Sequence, residues 1–158
     1  MKTSRNKTLS LQFSVDLSRA VYMLAYIENH SNDEINSVVL AEKIGISSVQ
    51  VRQYMAVLSR AGFIESRIGP GGVRLLKSVE DITLLDITKA LDINMDDLIK
   101  TFIPVNHEME EVMDFMKQDF INISDVLKGQ LQIRTIGDYC KEKTMEKDDI
   151  TMEEEERF

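Results

Sequence analysis

Between Ser47 and Lys77 the chain gathers side chains that could grip a polyanion or read a base edge. Ser47, Ser48, Gln50, Arg52, Gln53 and Arg60 come first, and Arg67, Gly71, Gly72 and Arg74 follow. Arginine and glutamine can each make paired hydrogen bonds to a base, and serine and arginine hold phosphate oxygens. The basic residues of this stretch are Arg52, Arg60, Arg67, Arg74 and Lys77, against the single acid Glu65. Five against one leaves a local charge of +4 on a chain whose total is −8. A cationic surface on an acidic chain points to a polyanion partner, because each phosphate neutralised releases counterions. Other chemistries lack their ingredients. Gly69, Gly71 and Gly72 have no following Gly-Lys-Ser/Thr and lie between two strand candidates, so they make no nucleotide cradle. His30 and His107 have no serine or cysteine nucleophile motif around them, and no enzyme is expected. His30 also lacks a second histidine or cysteine nearby, so it reads as a surface residue and no metal site is expected.

These side chains need elements to hold them. Ser37 to Ile44 has the pattern of a short helix, with Ser37 as its cap and Ala41 small enough to face a second helix. Gly45 supplies the tight turn, and Ile46 plugs the space between the helices. Ser47 and Gln50 form a capping-box pattern that starts the second helix. Val51, Met55 and Leu58 recur at helical spacing as its buried stripe, leaving Ser48, Arg52, Gln53 and Arg60 largely outside it. Gly62 ends it. Gln50 has two competing uses, capping its own helix or reading adenine. Tyr54 has two as well, packing or touching a phosphate. Phe63 to Arg67 and Val73 to Lys77 are strand candidates, joined by the turn formers from Ile68 to Gly72. The whole is a helix-turn-helix followed by a β-wing.

At this point the residues resemble a known family. Ser47-Ser48-Val49-Gln50-Val51-Arg52-Gln53-Tyr54, then Ala61-Gly62-Phe63-Ile64, Gly69-Pro70-Gly71-Gly72, Arg74-Leu75 and Ile82 to Leu91 are similar to the Rrf2 family of bacterial winged helix-turn-helix transcription regulators. The resemblance spans roughly Phe13 to Tyr139. It implies DNA-binding regulation, with the helix from Ser47 to Ala61 in the major groove and the wing tip near the backbone or minor groove. It also implies a dimer formed through a long helix. Two positions depart from the family pattern. Ile68 stands where arginine usually precedes the wing glycines, with Arg67 one place earlier, and Val73 stands where an aromatic is frequent. Cluster-bearing members carry several cysteines just ahead of the long helix, whereas Asp92 to His107 has none. An iron–sulfur cluster needs thiolate ligands, so no cofactor is expected.

The rest of the chain fits this frame. At 158 residues it can hold one domain with a core and an appendage. Nothing approaches the ~20 apolar residues of a membrane span, and Met1 to Ser10 is polar and basic, loose in expectation and unlike a signal peptide. One cysteine excludes an internal disulfide framework, and a cytoplasmic protein is expected. Residues 1–77 carry 10 basic and 6 acidic groups, and residues 78–158 carry 9 and 21, so one half can face nucleic acid while the other stays away. A first helix is expected from Val15 to Asn29, capped by Ser14, with Leu17, Ala20, Val21, Leu24 and Ile27 inward. Arg19 either reaches a phosphate or sits as an exposed charge. Thr83 and Asp86 form a second capping box, opening a helix to Leu91. Met109, Met113, Met116, Phe120, Ile123 and Leu127 step by four and three, a heptad seam on a helix from Asn106 to Lys128 that Gly129 breaks. Val112 and Val126 broaden the seam. Dimerisation is the expected use of that seam; packing on its own domain is the alternative. Leu131, Ile133 and Ile136 suggest a closing segment.

The division expected is a winged helix-turn-helix domain over 1–91, a connecting segment, dimerisation helix and closing segment over 92–140, and an acidic disordered tail over 141–158. Cys140 beside Lys141 and Lys143 is either a redox switch or incidental. The fold expected is mainly α, and the function is a homodimeric regulator of double-stranded DNA, acting as a repressor. Two alternatives stay open. One is a winged-helix module that binds an acidic protein. The other is a regulator answering a small molecule, in a pocket lined by Met95, Phe102, Ile103 and the long helix.

Overall fold

The computed structural model describes residues 9–67, 72–94 and 109–141, and the side chains of the first helix from residue 15. Helix α1 runs Leu9–Asn29, six residues longer at its start than the sequence suggested. Ser14 therefore lies inside the helix instead of capping it, because no glycine or proline interrupts the preceding residues. Leu17, Ala20, Met23, Leu24 and Ile27 form its buried side, with Val21 half-buried beside them. His30 is half-buried rather than free on the surface: its ring stacks on Tyr26 at 4.0 Å.

Helix α2 (Ser37–Ile44) is capped one residue earlier than expected. The Asn36 side chain accepts from the amides of Val38 and Val39, at 2.9 and 3.0 Å. Gly45 takes φ of 76°, left-handed as the turn requires. Helix α3 (Ser48–Arg60) follows and buries Val51, Met55 and Leu58 as anticipated. Strands β1 (Ile64–Ser66) and β2 (Val73–Leu75) pair antiparallel, with Ile64 opposite Leu75, Glu65 opposite Arg74 and Ser66 opposite Val73. The wing strands are thus shorter than the sequence pattern. A 3-10 turn (Val79–Asp81) leads to α4 (Leu84–Ala90), opened by mutual bonds between Thr83 and Asp86.

Helix α5 (Glu110–Ile133) continues through Gly129, which does not break it. Glycine costs about 1 kcal/mol in a helix interior relative to alanine. Leu131, buried in the hydrophobic cluster just beyond Gly129, holds the helix through it. The chain then returns to the winged domain. Leu84 donates to the carbonyl of Arg134 at 3.0 Å, and Ile136 to that of Ile82 at 2.9 Å. Residues 136–141 are helical, started by reciprocal bonds between Thr135 and Asp138. Leu131 and Ile136 join the same hydrophobic cluster as Leu24, Leu40, Leu58 and Ile87, while Ile133 is exposed. Cys140 is half-buried against that cluster, and the ammonium of Lys141 pairs with Glu80 at 3.0 Å.

Candidate nucleic-acid interface

Helix α3 is fixed at its start by its own side chains. The Ser47 amide donates to Gln50 Oε1, and the Gln50 amide donates to Ser47 Oγ, each at 3.2 Å. Both members of the capping box are thereby engaged with each other, and Gln50 takes the capping use of the two open to it. Ser48 is half-buried; Arg52, Gln53 and Arg60 are exposed. Two clefts of about 260 Å³ flank the helix. On the wing side Arg52 and Arg67 line one cleft, together with Asn36 and Ser66. On the α1 side Gln50, Gln53 and Tyr54 line the other, facing Asp16 and Arg19. Arg52 and Gln53 are therefore neighbours in sequence that serve opposite flanks.

The wing charges are partly spent within the wing. Glu65 accepts from Arg74 Nη2 at 2.6 Å and from Arg67 Nε at 3.3 Å. Cross-strand register puts Arg74 opposite Glu65, and the Arg74 bond holds that carboxyl below its usual range. All three side chains are well exposed, so these bonds are weak. Gly72 has a packing role: it is buried, with φ of 55°, and a Cβ there would collide with the backbone of Ile35. The next amide, Val73, donates to the Ile35 carbonyl at 2.8 Å. Gly71 and Ile68 lie outside the described residues. Lys77 sits 5.9 Å over the ring of Phe63, drawn in toward the domain.

The heptad seam divides between two faces. Met113, Phe120 and Leu127 are half-buried, whereas Met109, Met116 and Ile123 are exposed. The exposed three continue onto Val112, Phe115, Val126 and Ile133, with Phe115 74%, Val126 67% and Ile123 62% accessible. Outward apolar residues at 109, 112, 116, 123, 126 and 133 keep the same alternation of threes and fours, with Asp119 and Gln130 filling the gaps. Of the expected seam, Leu127 packs against the hydrophobic core, while Met109, Met116 and Ile123 belong to the outer row. Met95, Phe102, Ile103 and the stretch that lacks cysteines fall largely outside the described residues. Among the described residues no group of three or more His, Cys, Asp or Glu could hold a metal ion.

A helix-turn-helix carrying exposed arginine and glutamine, followed at once by a two-stranded wing and closed by a long helix, defines a winged helix-turn-helix DNA-binding protein. Residues 13–142 match the Rrf2 family, described as iron-dependent transcriptional regulators, and the chain belongs to that family. It is a DNA-binding transcription regulator and not an enzyme. It is 23% identical over 128 residues to YwnA of Bacillus subtilis (strain 168), named for the HTH-type transcriptional regulators; the match covers 77% of this chain and 92% of YwnA. Among solved structures it resembles CymR (YrzC), the global cysteine regulator of B. subtilis, with a TM-score of 0.61, 20% identity and coverage of 85% and 97% of the two chains. T. potens IscR matches with a TM-score of 0.60 and 21% identity over 87% and 89%. At these identities the structural likeness carries the fold alone. Among the described residues no helix is long and apolar enough to cross a membrane.

Proposed function

We propose that the chain is a homodimeric repressor that places α3 in the major groove and the wing arginines against the backbone or minor groove. The observation that carries this reading is the outward side of α3. Arg52, Gln53 and Arg60 stand exposed there, on a helix whose buried stripe and capping box leave it no freedom to turn them inward. Gln53 suits adenine and Arg52 suits guanine, each through paired hydrogen bonds. Arg67 and Arg74, held loosely by Glu65, supply phosphate contacts. The apolar row of α5 stands exposed along the helix, and a second copy of the same helix would cover it. A dimer seated on promoter DNA represses by exclusion.

The same reading has no iron–sulfur cluster. One cysteine per chain, Cys140, falls short of the thiolates a cluster needs, so the family's iron dependence does not extend to this member through that chemistry. Two irons per chain in an anaerobic preparation would overturn that part. The function itself is tested by recovering duplexes from genomic fragments and titrating binding against salt. The expected result is a preference for recovered over scrambled duplex that reaches at least tenfold, with affinity falling steeply as salt rises. Absence of duplex binding, with capture of an acidic protein instead, would overturn it.

A further inference from the structure

The buried residues of α3 fix which side looks out. Opposite Val51, Met55 and Leu58 stand Val49, Gln53, Ala56 and Arg60, at steps of four, three and four, and all four are exposed. Val49 is the anomaly among them, with 56% of its surface accessible. A β-branched residue is a mediocre helix former, and at this exposure it adds little to the core. Its place is the first turn of the helix, and the N-terminal residues of a recognition helix are the ones that meet base edges.

An isopropyl group finds one matching feature in the major groove, the C5 methyl of thymine. Its neighbours on the helix sharpen this. Ser47 and Gln50 are engaged with each other in the capping box. Gln53 lies one turn beyond Val49 on the same side, and its carboxamide matches N6 and N7 of adenine. One helical turn advances about 5.4 Å, and stacked base pairs are spaced by about 3.4 Å. The two side chains thus address base pairs that are adjacent or one apart.

We propose that Val49 is a specificity-determining residue that packs on a thymine methyl, so that each half-site carries a thymine next to, or one pair away from, the adenine read by Gln53. This rests on the proposed placement of α3 in the major groove. The probe is the duplex selected by the wild-type protein from a random-sequence pool, with each thymine replaced in turn by deoxyuridine in both half-sites. Deoxyuridine lacks only the methyl group. One thymine position is expected to lose about fourfold in affinity per half-site, the value of one methyl taken out of water. Val49→Ala is expected to abolish the sensitivity at that position alone, and alanine, the better helix former, keeps α3 folded. If wild type binds every deoxyuridine duplex equally well, or if Val49→Ala keeps the full sensitivity, the proposal is overturned while DNA binding through α3 stands. If no sequence is enriched from the pool, the groove placement fails and the Val49 contact with it.

Discussion

The hydroxyl of Tyr54 donates a 2.6 Å hydrogen bond to Oδ1 of Asp16, and Arg19 Nη1 donates to the same hydroxyl at 3.4 Å. This joins the middle of α3 to α1 on the side away from the wing. The orientation of α3 thus depends on a polar tie as well as on Val51, Met55 and Leu58. Burial, reinforced by the bond to Asp16, raises the Tyr54 phenol above its ordinary pKa of 10.0. The folded protein then holds that proton more tightly than the unfolded chain. The resulting stabilisation is intact below pH 10 and drains away as pH rises through the folded-state value. Tyr54→Phe should lower stability by about 1–2 kcal/mol in urea denaturation at neutral pH. The difference from wild type should shrink on the alkaline side. Equal urea midpoints at pH 7 would show that the tie holds nothing in place.

Arg52→Ala should weaken operator binding more than binding to random duplex. A good bidentate base contact is worth about 1–3 kcal/mol of discrimination, tenfold or more. Arg52 shares a cleft with Arg67, so a phosphate role is the competing outcome. Equal losses on both duplexes, with a salt slope reduced by about one, would assign Arg52 to the backbone.

The outer row of α5 can be tested without touching the DNA-binding elements. Ile123→Asp with Val126→Asp puts two carboxylates into the proposed interface, where an unpaired charge is costly to bury. Both positions are exposed, so the domain should fold as before. Sedimentation should show a monomer with unchanged helical circular dichroism. Operator affinity should fall, because a monomer holds one half-site and loses the gain from tethering. A double variant that remained a dimer would move the interface elsewhere. The half-buried Phe120 is a poorer site for this test, because a charge there could also disturb its own domain.

Acid pH should expose the two capping boxes that face each other across the return of the chain. Burial works against ionisation of Asp86, but its bonds from Thr83, with Lys77 and Lys89 nearby, outweigh that and lower its pKa from 3.8. Asp138 is lowered from 3.8 chiefly by the backbone amide of Thr135. Each contributes stability that is present above pH 4 and lost as pH falls through the folded-state value. Thr83→Ala should cost about 1 kcal/mol at pH 7, and Asp86→Asn with Asp138→Asn, which removes both titrating carboxyls, should flatten the fall in melting temperature below pH 4. A double variant as acid-sensitive as wild type would place the acid limb in other carboxylates.

What could be read from the sequence was what is decided locally. The boxes Ser47–Gln50 and Thr83–Asp86 span four residues each, and both form as read. Asn36 and Ser37 are both good caps, so the pattern left the α2 cap ambiguous by one residue. Gly129 has the pattern of a helix breaker but stays inside α5, and the close approach of Gly72 to the Ile35 backbone joins residues that no local pattern pairs. The α5 pattern leaves a similar ambiguity. Its steps of four and three fit an inner and an outer row equally well, and only packing against the core separates Leu127 from the exposed Val126. The outward place of Val49 is visible only once the buried stripe of α3 is known. The signal that finds it is its helical spacing to Gln53, Ala56 and Arg60. The Tyr54–Asp16 tie joins residues far apart in the chain, and no local pattern reveals it.

A footprint on the selected operator tests the central claim most directly. Hydroxyl-radical cleavage should show two protected half-sites related by two-fold symmetry, their centres one helical turn or a multiple apart on one face of the duplex. Gln53→Ala should lift protection in both halves together. A single unsymmetric patch, or protection spread evenly along any duplex, would contradict a dimer reading DNA through α3.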